Sequence, residues 1–357
     1  MPAKSRQRIQ YVTASDGVRL AWADAGEGPL VVKAANWLTH LEFEWESPVW
    51  RHWIRFFSEH FRFVRFDERG CGMSDWNVGD LSLDRWVSDL DTVIEAAKPT
   101  APVVLLGISQ GAATCIRYAA QFPERVTRLI LYGSYARGSW RRGIARTEQE
   151  YRAMVDLTRF GWGKDNPTFR QIFTSRFIPG GSDEQVRWFN DLCLKTTNGD
   201  VAAQLFEARA VVDVTGILDQ IETPTLVLHA RNDEVTPIDE GRLVAAGIRG
   251  AEFVELDSKN HVLLEHEAAW DRFRQAVLDF AKPDVRTSED PAFGALSTRE
   301  RQILSLIVDG RSNADIAERL GISEKTVRNH TSNLFDKLGV WTRAQAMVLA
   351  RDRGFGG

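Results

Sequence analysis

Apolar residues recur along this chain with two different periods, and the period changes with position. Short apolar runs at residues 30–34, 61–66, 103–106, 129–132, 225–229 and 252–256 predict strands, and 9–14 with 17–24 predict a hairpin. Between them apolar positions return every three or four residues, predicting helices near 48–58, 83–98, 111–121, 239–246 and 264–280. Strands alternating with helices predict an α/β fold with a mostly parallel sheet covered on both faces. From 134 to 216 the strand signal disappears. Helical stretches near 148–160, 167–177, 183–194 and 201–211 predict an all-helical lid over the C-terminal edge of that sheet.

The pattern stops at residues 283–294, PDVRTSEDPAFG, which are polar, proline-containing and aperiodic. They are expected to link a domain at 1–282 to a second at 295–357. Residues 296–340 then predict three short amphipathic helices joined by tight turns. Arg311-Ser312-Asn313 supplies cap oxygens for a helix over 314–320, and Gly321 ends it. Ser323 caps the next, 324–338, which stops at Gly339. Val327, Leu334 and Leu338 share its inner face; Lys325, Arg328, Asn329, His330, Ser332 and Lys337 are donors suited to phosphates and base edges.

Charge makes sense only when divided between these two parts. The whole chain carries −4, but residues 295–357 hold 10 Lys and Arg against 7 Asp and Glu, and the rest holds 35 against 42. A mildly basic reader on an acidic body fits salt-sensitive DNA binding strengthened by pairing into a homodimer on a two-fold operator. Leu338, Val340, Ala346 and Leu349 are the apolar residues expected near that dimer contact. MPAKSRQRIQ has no apolar signal-peptide core, and no apolar run is long enough to span a membrane, so a cytoplasmic protein is expected. Cys71, Cys115 and Cys193 lack metal-ligand spacing, as thiols of a reducing compartment do, and no metal or cofactor is expected.

The C-terminal segment resembles the LuxR-type helix-turn-helix. The matching residues are Leu296-Ser297-Thr298-Arg299-Glu300, Gly310-Arg311-Ser312-Asn313, Ile316-Ala317, Ile322-Ser323, Thr326-Val327-Arg328-Asn329-His330 and Lys337-Leu338-Gly339-Val340. The resemblance implies that the helix 324–338 enters the major groove, with Arg328, Asn329 and Ser332 facing base edges. It places Lys325, Thr326, Asn333 and Lys337 near phosphates.

The first domain carries its own chemistry. Residues 103–111, VVLLGISQG, are a strand followed at once by Gly107-Ile108-Ser109-Gln110-Gly111 and a helix, the setting a sharp turn needs to expose a serine hydroxyl. Asp233 follows the strand 225–229 and His261 follows 252–256, so the order Ser, acid, His is complete. His261 is expected to act as base on Ser109, with Asp233 holding its tautomer. The other histidines, His40, His52, His60, His229 and His266, are expected to be structural or at the surface.

With Asp67-Glu68-Arg69-Gly70-Cys71-Gly72-Met73-Ser74, residues 9–281 resemble the α/β-hydrolase family. The resemblance implies an eight-stranded sheet and a helical lid, with Arg69 and the glycines fixing backbone shape. It also implies an oxyanion site from the N–H groups of Gln110 and of Asn36 or Trp37, yet Ala34-Ala35-Asn36-Trp37 replaces the His-Gly common in the family. Trp45, Trp50 and Trp53 suit core packing, whereas Trp37 points toward the pocket. Trp140, Phe160, Trp162, Phe173 and Trp188 are expected to close an apolar site, and Arg137, Arg141, Arg142 and Arg146 to form a solvated face. The combination predicts a ligand-responsive regulator that senses an apolar ester or lactone and hydrolyses it slowly. The alternative is a serine esterase or lactonase with an accessory DNA-binding domain.

Overall fold

The computed structural model describes residues 7–281, 293, 296–352 and 355. Two compact units divide the chain, Met1–Ala281 and Lys282–Gly357. Apart from Phe293, the expected linker at 283–294 lies outside the described residues.

The first unit is built on strands β1 (Arg8–Thr13), β2 (Arg19–Ala25), β3 (Leu30–Lys33), β4 (Arg62–Phe66), β5 (Val103–Ile108), β6 (Val126–Tyr132), β7 (Thr225–Ala230) and β8 (Glu252–Leu256). They form one eight-stranded sheet in the order β1-β2-β4-β3-β5-β6-β7-β8. β1, β2 and β4 pair antiparallel, and every other neighbour pair is parallel. β5 and β7 are buried along their whole length, which is why they read as continuous apolar runs rather than alternating ones. The chain reverses its direction of travel across the sheet around β3, so the loops after β3 and β5 flank one crevice, where parallel sheets bind ligands.

Helices α1 (Leu41–Trp45), α2 (Arg51–His60), α3 (Leu83–Ala97), α4 (Gln110–Gln121), the lid helices α5 (Ala145–Gly161), α6 (Thr168–Phe177), α7 (Asp183–Thr196) and α8 (Gly199–Ala210), then α9 (Ile238–Gly247) and α10 (Ala268–Ala281) complete the unit. Two differ from the periodicity. The helix expected from residue 48 begins at Arg51, because the Ser47 hydroxyl accepts from Trp50 N at 2.7 Å and holds Pro48 and Val49 in a turn. The helix expected from 264 begins at Ala268, because the Glu267 carboxylate accepts from Leu264 N at 2.6 Å and ties the preceding residues into a loop. α1 is too short for its period to be visible.

The tryptophan-rich stretch is core, as its packing requires. Trp53 meets Trp270, Phe273 and Tyr132 at ring separations of 4.9, 4.6 and 5.3 Å. Burying each such ring contributes roughly 2 kcal/mol. The cluster also serves the site: Trp53 Nε1 and His52 Nε2 both donate to the Leu263 carbonyl at 3.0 Å, two residues beyond His261. Burial pushes the His52 pKa down to about 4, which keeps the ring neutral.

The second unit contains the helices Thr298–Val308, Asn313–Leu320, Glu324–Leu338 and Arg343–Asp352. Ser297 with Glu300 and Ser312 with Asp315 form capping boxes, and Ser323 accepts from Thr326 N. Asn313 is thus the first helical residue, one earlier than expected. Ile303, Leu304, Ile307, Ile316, Val327, Leu334 and Ala346 form a closed core. Among the described residues no helix is long and apolar enough to cross a membrane.

Candidate active site and DNA-reading helix

β5 delivers Ser109 into a turn with φ 53° and ψ −123°, a left-handed backbone that costs a non-glycine residue about 1–3 kcal/mol. Its N–H donates to the Tyr132 carbonyl at 2.8 Å, and its own carbonyl accepts from Ala112 N at 3.1 Å as α4 begins. Gly107 is required beside it, because a Cβ there would lie 2.5 Å from Ala112 Cα.

Asp233, after β7, and His261, after β8, are in direct contact: His261 Nδ1 meets Asp233 Oδ2 at 2.6 Å. Asp233 Oδ1 accepts from Val235 N and Thr236 N at 2.8 and 2.9 Å. Burial alone would raise the Asp233 pKa, but the charge and hydrogen bond of His261 and the Thr236 N–H outweigh it and lower the value. An ionised carboxylate at Nδ1 keeps that proton in place and leaves Nε2 as the base. Nε2 is buried and bonds to no atom of the described residues, Ser109 Oγ included. Gly133, which follows Tyr132, makes the corner possible. It has φ 55°, and a Cβ on it would lie 3.0 Å from His261 Cε1. His229 is buried in β7 with Nε2 on the Thr236 carbonyl at 2.9 Å, a structural role that supports the Asp233 loop.

The loop after β3 adopts a shape of its own. Ala35 keeps a negative φ, and Leu38 turns the chain instead, at φ 47°. Lys33 donates to Asn36 Oδ1, and Asn36 Nδ2 donates to the Trp37 carbonyl at 3.0 Å. Burial pushes the Lys33 pKa down to about 8. The backbone N–H groups of Asn36, Trp37 and Gln110 donate to no acceptor among the described residues. The Asp67–Ser74 loop is structural: Asp67 accepts from Leu41 N and Met73 N, and Arg69 pairs with Asp89 and Asp16.

A cavity of about 100 Å³ opens from Ser109 beneath the lid, several times the roughly 10–15 Å³ that one water needs. Of the aromatics expected to line it, Trp37 and Phe173 do. The others are placed elsewhere: Phe160 is 73 % exposed, Trp162 donates to the Cys193 carbonyl, Trp188 stacks on Phe43, and Trp140 packs edge-on to Tyr151. Tyr135, Tyr151, Phe177 and Phe206 take their places. Arg142 corrects the expectation of a solvated basic face, since it lines the cavity with its side chain 10 % exposed. Arg209, from α8, was not legible at all. It lies 4.7 Å over the Trp37 ring, donates to Gln110 Oε1 at 3.1 Å and pairs with buried Glu68.

On the helix Glu324–Leu338, Lys325, Arg328, Asn329, Ser332 and Asn333 are exposed and Thr326 is half-buried at its start. Lys337 is placed differently from its expected phosphate role. Its ammonium donates to the buried Glu300 carboxylate at 2.7 Å and braces two helices of the unit. Of the expected dimer residues, Ala346 is fully buried and Leu338 and Val340 pack on the core, while Leu349 is half-buried. Among the described residues of this unit, Trp341 and Val348, 88 % and 58 % exposed, are the large apolar side chains at the surface.

Known proteins resemble both units. Residues 44–268 match the family described as alpha/beta hydrolase fold, and residues 294–350 match bacterial regulatory proteins of the luxR family. The AB hydrolase superfamily protein YisY of Bacillus subtilis is 28 % identical over 261 residues, covering 70 % of this chain and 91 % of that protein. The probable transcriptional regulatory protein SgaR of Hyphomicrobium methylovorum is 25 % identical over 222 residues, covering 62 % and 80 %. The crystal structure of a hydrolase from Pseudomonas aeruginosa superposes with a TM-score of 0.64 at 26 % identity, covering 77 % of this chain and 99 % of that one.

Proposed function

Since this chain belongs to the alpha/beta hydrolase fold family and ends in a luxR-family DNA-binding domain, we propose that it is a transcription regulator whose hydrolase-fold domain senses a small ester or lactone. The observation that carries this reading is a lid-covered cavity bordered by Ser109, with an Asp233–His261 pair held at 2.6 Å beside it. A ligand carbonyl lies against Ser109, its oxygen on Gln110 N–H and that of Asn36 or Trp37. Hydrolysis is slow, because His261 Nε2 is not yet bonded to Ser109 and the oxyanion loop lacks the family's His-Gly. Acting on DNA places the protein in the cytoplasm, in keeping with three free, buried cysteines.

The reader contacts a two-fold operator as a homodimer. Pairing doubles a basic surface that is modest in one copy, and Trp341 with Val348 is the apolar surface available to it. Sedimentation of the free and operator-bound protein reads the assembly; monomers in both states overturn it.

The ligand role is tested by measuring operator affinity with and without a panel of short esters and lactones, in wild type and Ser109→Ala. A change in affinity that survives in the variant supports sensing. The strained backbone at Ser109 favours a second reading, a working esterase or lactonase. Rapid wild-type turnover, with loss of the whole DNA response in Ser109→Ala, selects it.

A further inference from the structure

The charges around the cavity do not balance. Three arginines line it, Arg142, Arg176 and Arg209, against one carboxylate, Glu150. Glu150 is already paired with Arg146 at 2.8 Å, and Arg209 with Glu68. Arg176 has no carboxylate within ion-pairing distance among the described residues; its guanidinium meets the Glu234 carbonyl and the Met154 sulfur. Glu240 serves Arg137 at 2.7 Å and lies 3.9 Å from Arg142 Nε, so one acid answers two guanidinium groups. The site therefore holds an excess of positive charge, with the Arg142 and Arg209 side chains 10 % and 6 % exposed.

Arg142 has the most unused capacity, since Arg209 leaves one nitrogen, Nη1, without a partner and Arg142 leaves two. Its Nε donates to the Arg137 carbonyl at 3.0 Å and its guanidinium lies 5.6 Å from the Tyr135 ring centroid. Both terminal nitrogens bond to no protein acceptor among the described residues. A guanidinium that is one-tenth exposed, with its end unpaired, has given up water without full return. A planar carboxylate accepting from both terminal nitrogens restores those bonds, which few other groups of that size do.

We propose that the ligand is a half-acid: an ester or lactone at one end, and at the other a free carboxylate bound by Arg142 in the field of Arg176. This assignment rests on the reading that a carbonyl ligand lies against Ser109. It adds that the lid selects for charge at the far end of that ligand. Arg209 engages Glu68 and Gln110 through Nη2 and Nε and leaves Nη1 buried without a partner, so it adds to the positive field at the Ser109 end of the cavity.

The test uses the full-length protein, titrated with monomethyl glutarate and with dimethyl glutarate, which differ in that one charge. The half-acid is expected to bind at least tenfold tighter. Arg142→Gln removes the difference and leaves the diester within about twofold of wild type, whereas Arg142→Lys, which keeps the charge, retains part of the preference. Near-UV circular dichroism establishes that each variant is folded. Equal binding of both esters by wild type, or a preference that survives Arg142→Gln, overturns the half-acid assignment and leaves the Ser109 reading standing. If neither ester binds the folded wild type, the carbonyl reading falls and this one with it.

Discussion

The Lys337 ammonium donates to Glu300 Oε2 at 2.7 Å, and the same carboxylate oxygen accepts from Ser297 N at 2.7 Å. One buried acid thus closes a helix cap and ties the last turn of the Glu324–Leu338 helix to the first turn of Thr298–Val308. Burial alone would raise the Glu300 pKa, but Lys337 and Ser297 outweigh it and hold the value at about 2. A depressed acid contributes stability that is present above its ordinary pKa and lost as pH falls toward 2. Lys337→Ala is expected to destabilise the unit by about 1–2 kcal/mol, less than a fully buried pair because Lys337 is 39 % exposed. Thermal unfolding reads this. A variant with unchanged melting and a lower salt slope for DNA binding would return Lys337 to the phosphate backbone.

Arg328 is the opposite case. Its side chain is 60 % exposed and its internal contact is Glu324 at 3.4 Å, one helical turn back. Little holds it when DNA arrives. Arg328→Ala should leave melting unchanged and weaken operator binding by about 1–3 kcal/mol if it reads a base. Anisotropy titrations on operator and random DNA separate the cases, because equal losses on both assign it to phosphate.

His52 makes the first unit sensitive to acid. Its folded pKa, about 4, lies below the ordinary 6.5, so the neutral ring is favoured by folding. That contribution is whole above pH 6.5 and is lost as pH falls toward 4. Between pH 7 and pH 5 the loss should be about 2 kcal/mol. Urea unfolding of wild type and His52→Gln at both pH values measures it. The glutamine amide can still donate to the Leu263 carbonyl but does not titrate, so the variant should lose less. Parallel losses in the two proteins would place the acid sensitivity elsewhere.

Gly133→Ala probes the corner beneath the imidazole. With φ 55° and a new Cβ 3.0 Å from His261 Cε1, the ring has to give by a few tenths of an ångström. Misplacement of the ring on that scale is expected to slow labelling of Ser109 by a fluorophosphonate by roughly threefold to tenfold. Ligand binding, which depends on the lid and on backbone N–H groups, should change much less. Labelling at the wild-type rate would mean that His261 does not activate Ser109.

Much of this protein is local in origin and therefore legible along the chain. The cap residues Ser297, Ser312 and Ser323, the buried runs of β5 and β7, and the strand–turn–helix around Ser109 each depend on neighbours within a few residues. The order Ser109, Asp233, His261 follows from which strands they terminate, and a parallel sheet brings strand ends together. What tertiary structure alone decided are contacts between segments far apart in sequence. Helical spacing puts Lys337 half a turn from Arg328, and only the packing of the Thr298–Val308 helix decides that a buried carboxylate stands beside one and not the other. Trp53 and Leu263 meet across 210 positions, Arg209 and Gln110 across 99. The lid's periodicity marks its helices, but whether Phe160 or Phe206 faces the cavity, and whether Arg142 meets solvent or a ligand, depends on how those helices pack on the sheet. An amphipathic pattern distinguishes inside from outside; a cavity inside the fold is a third environment, and no period encodes it.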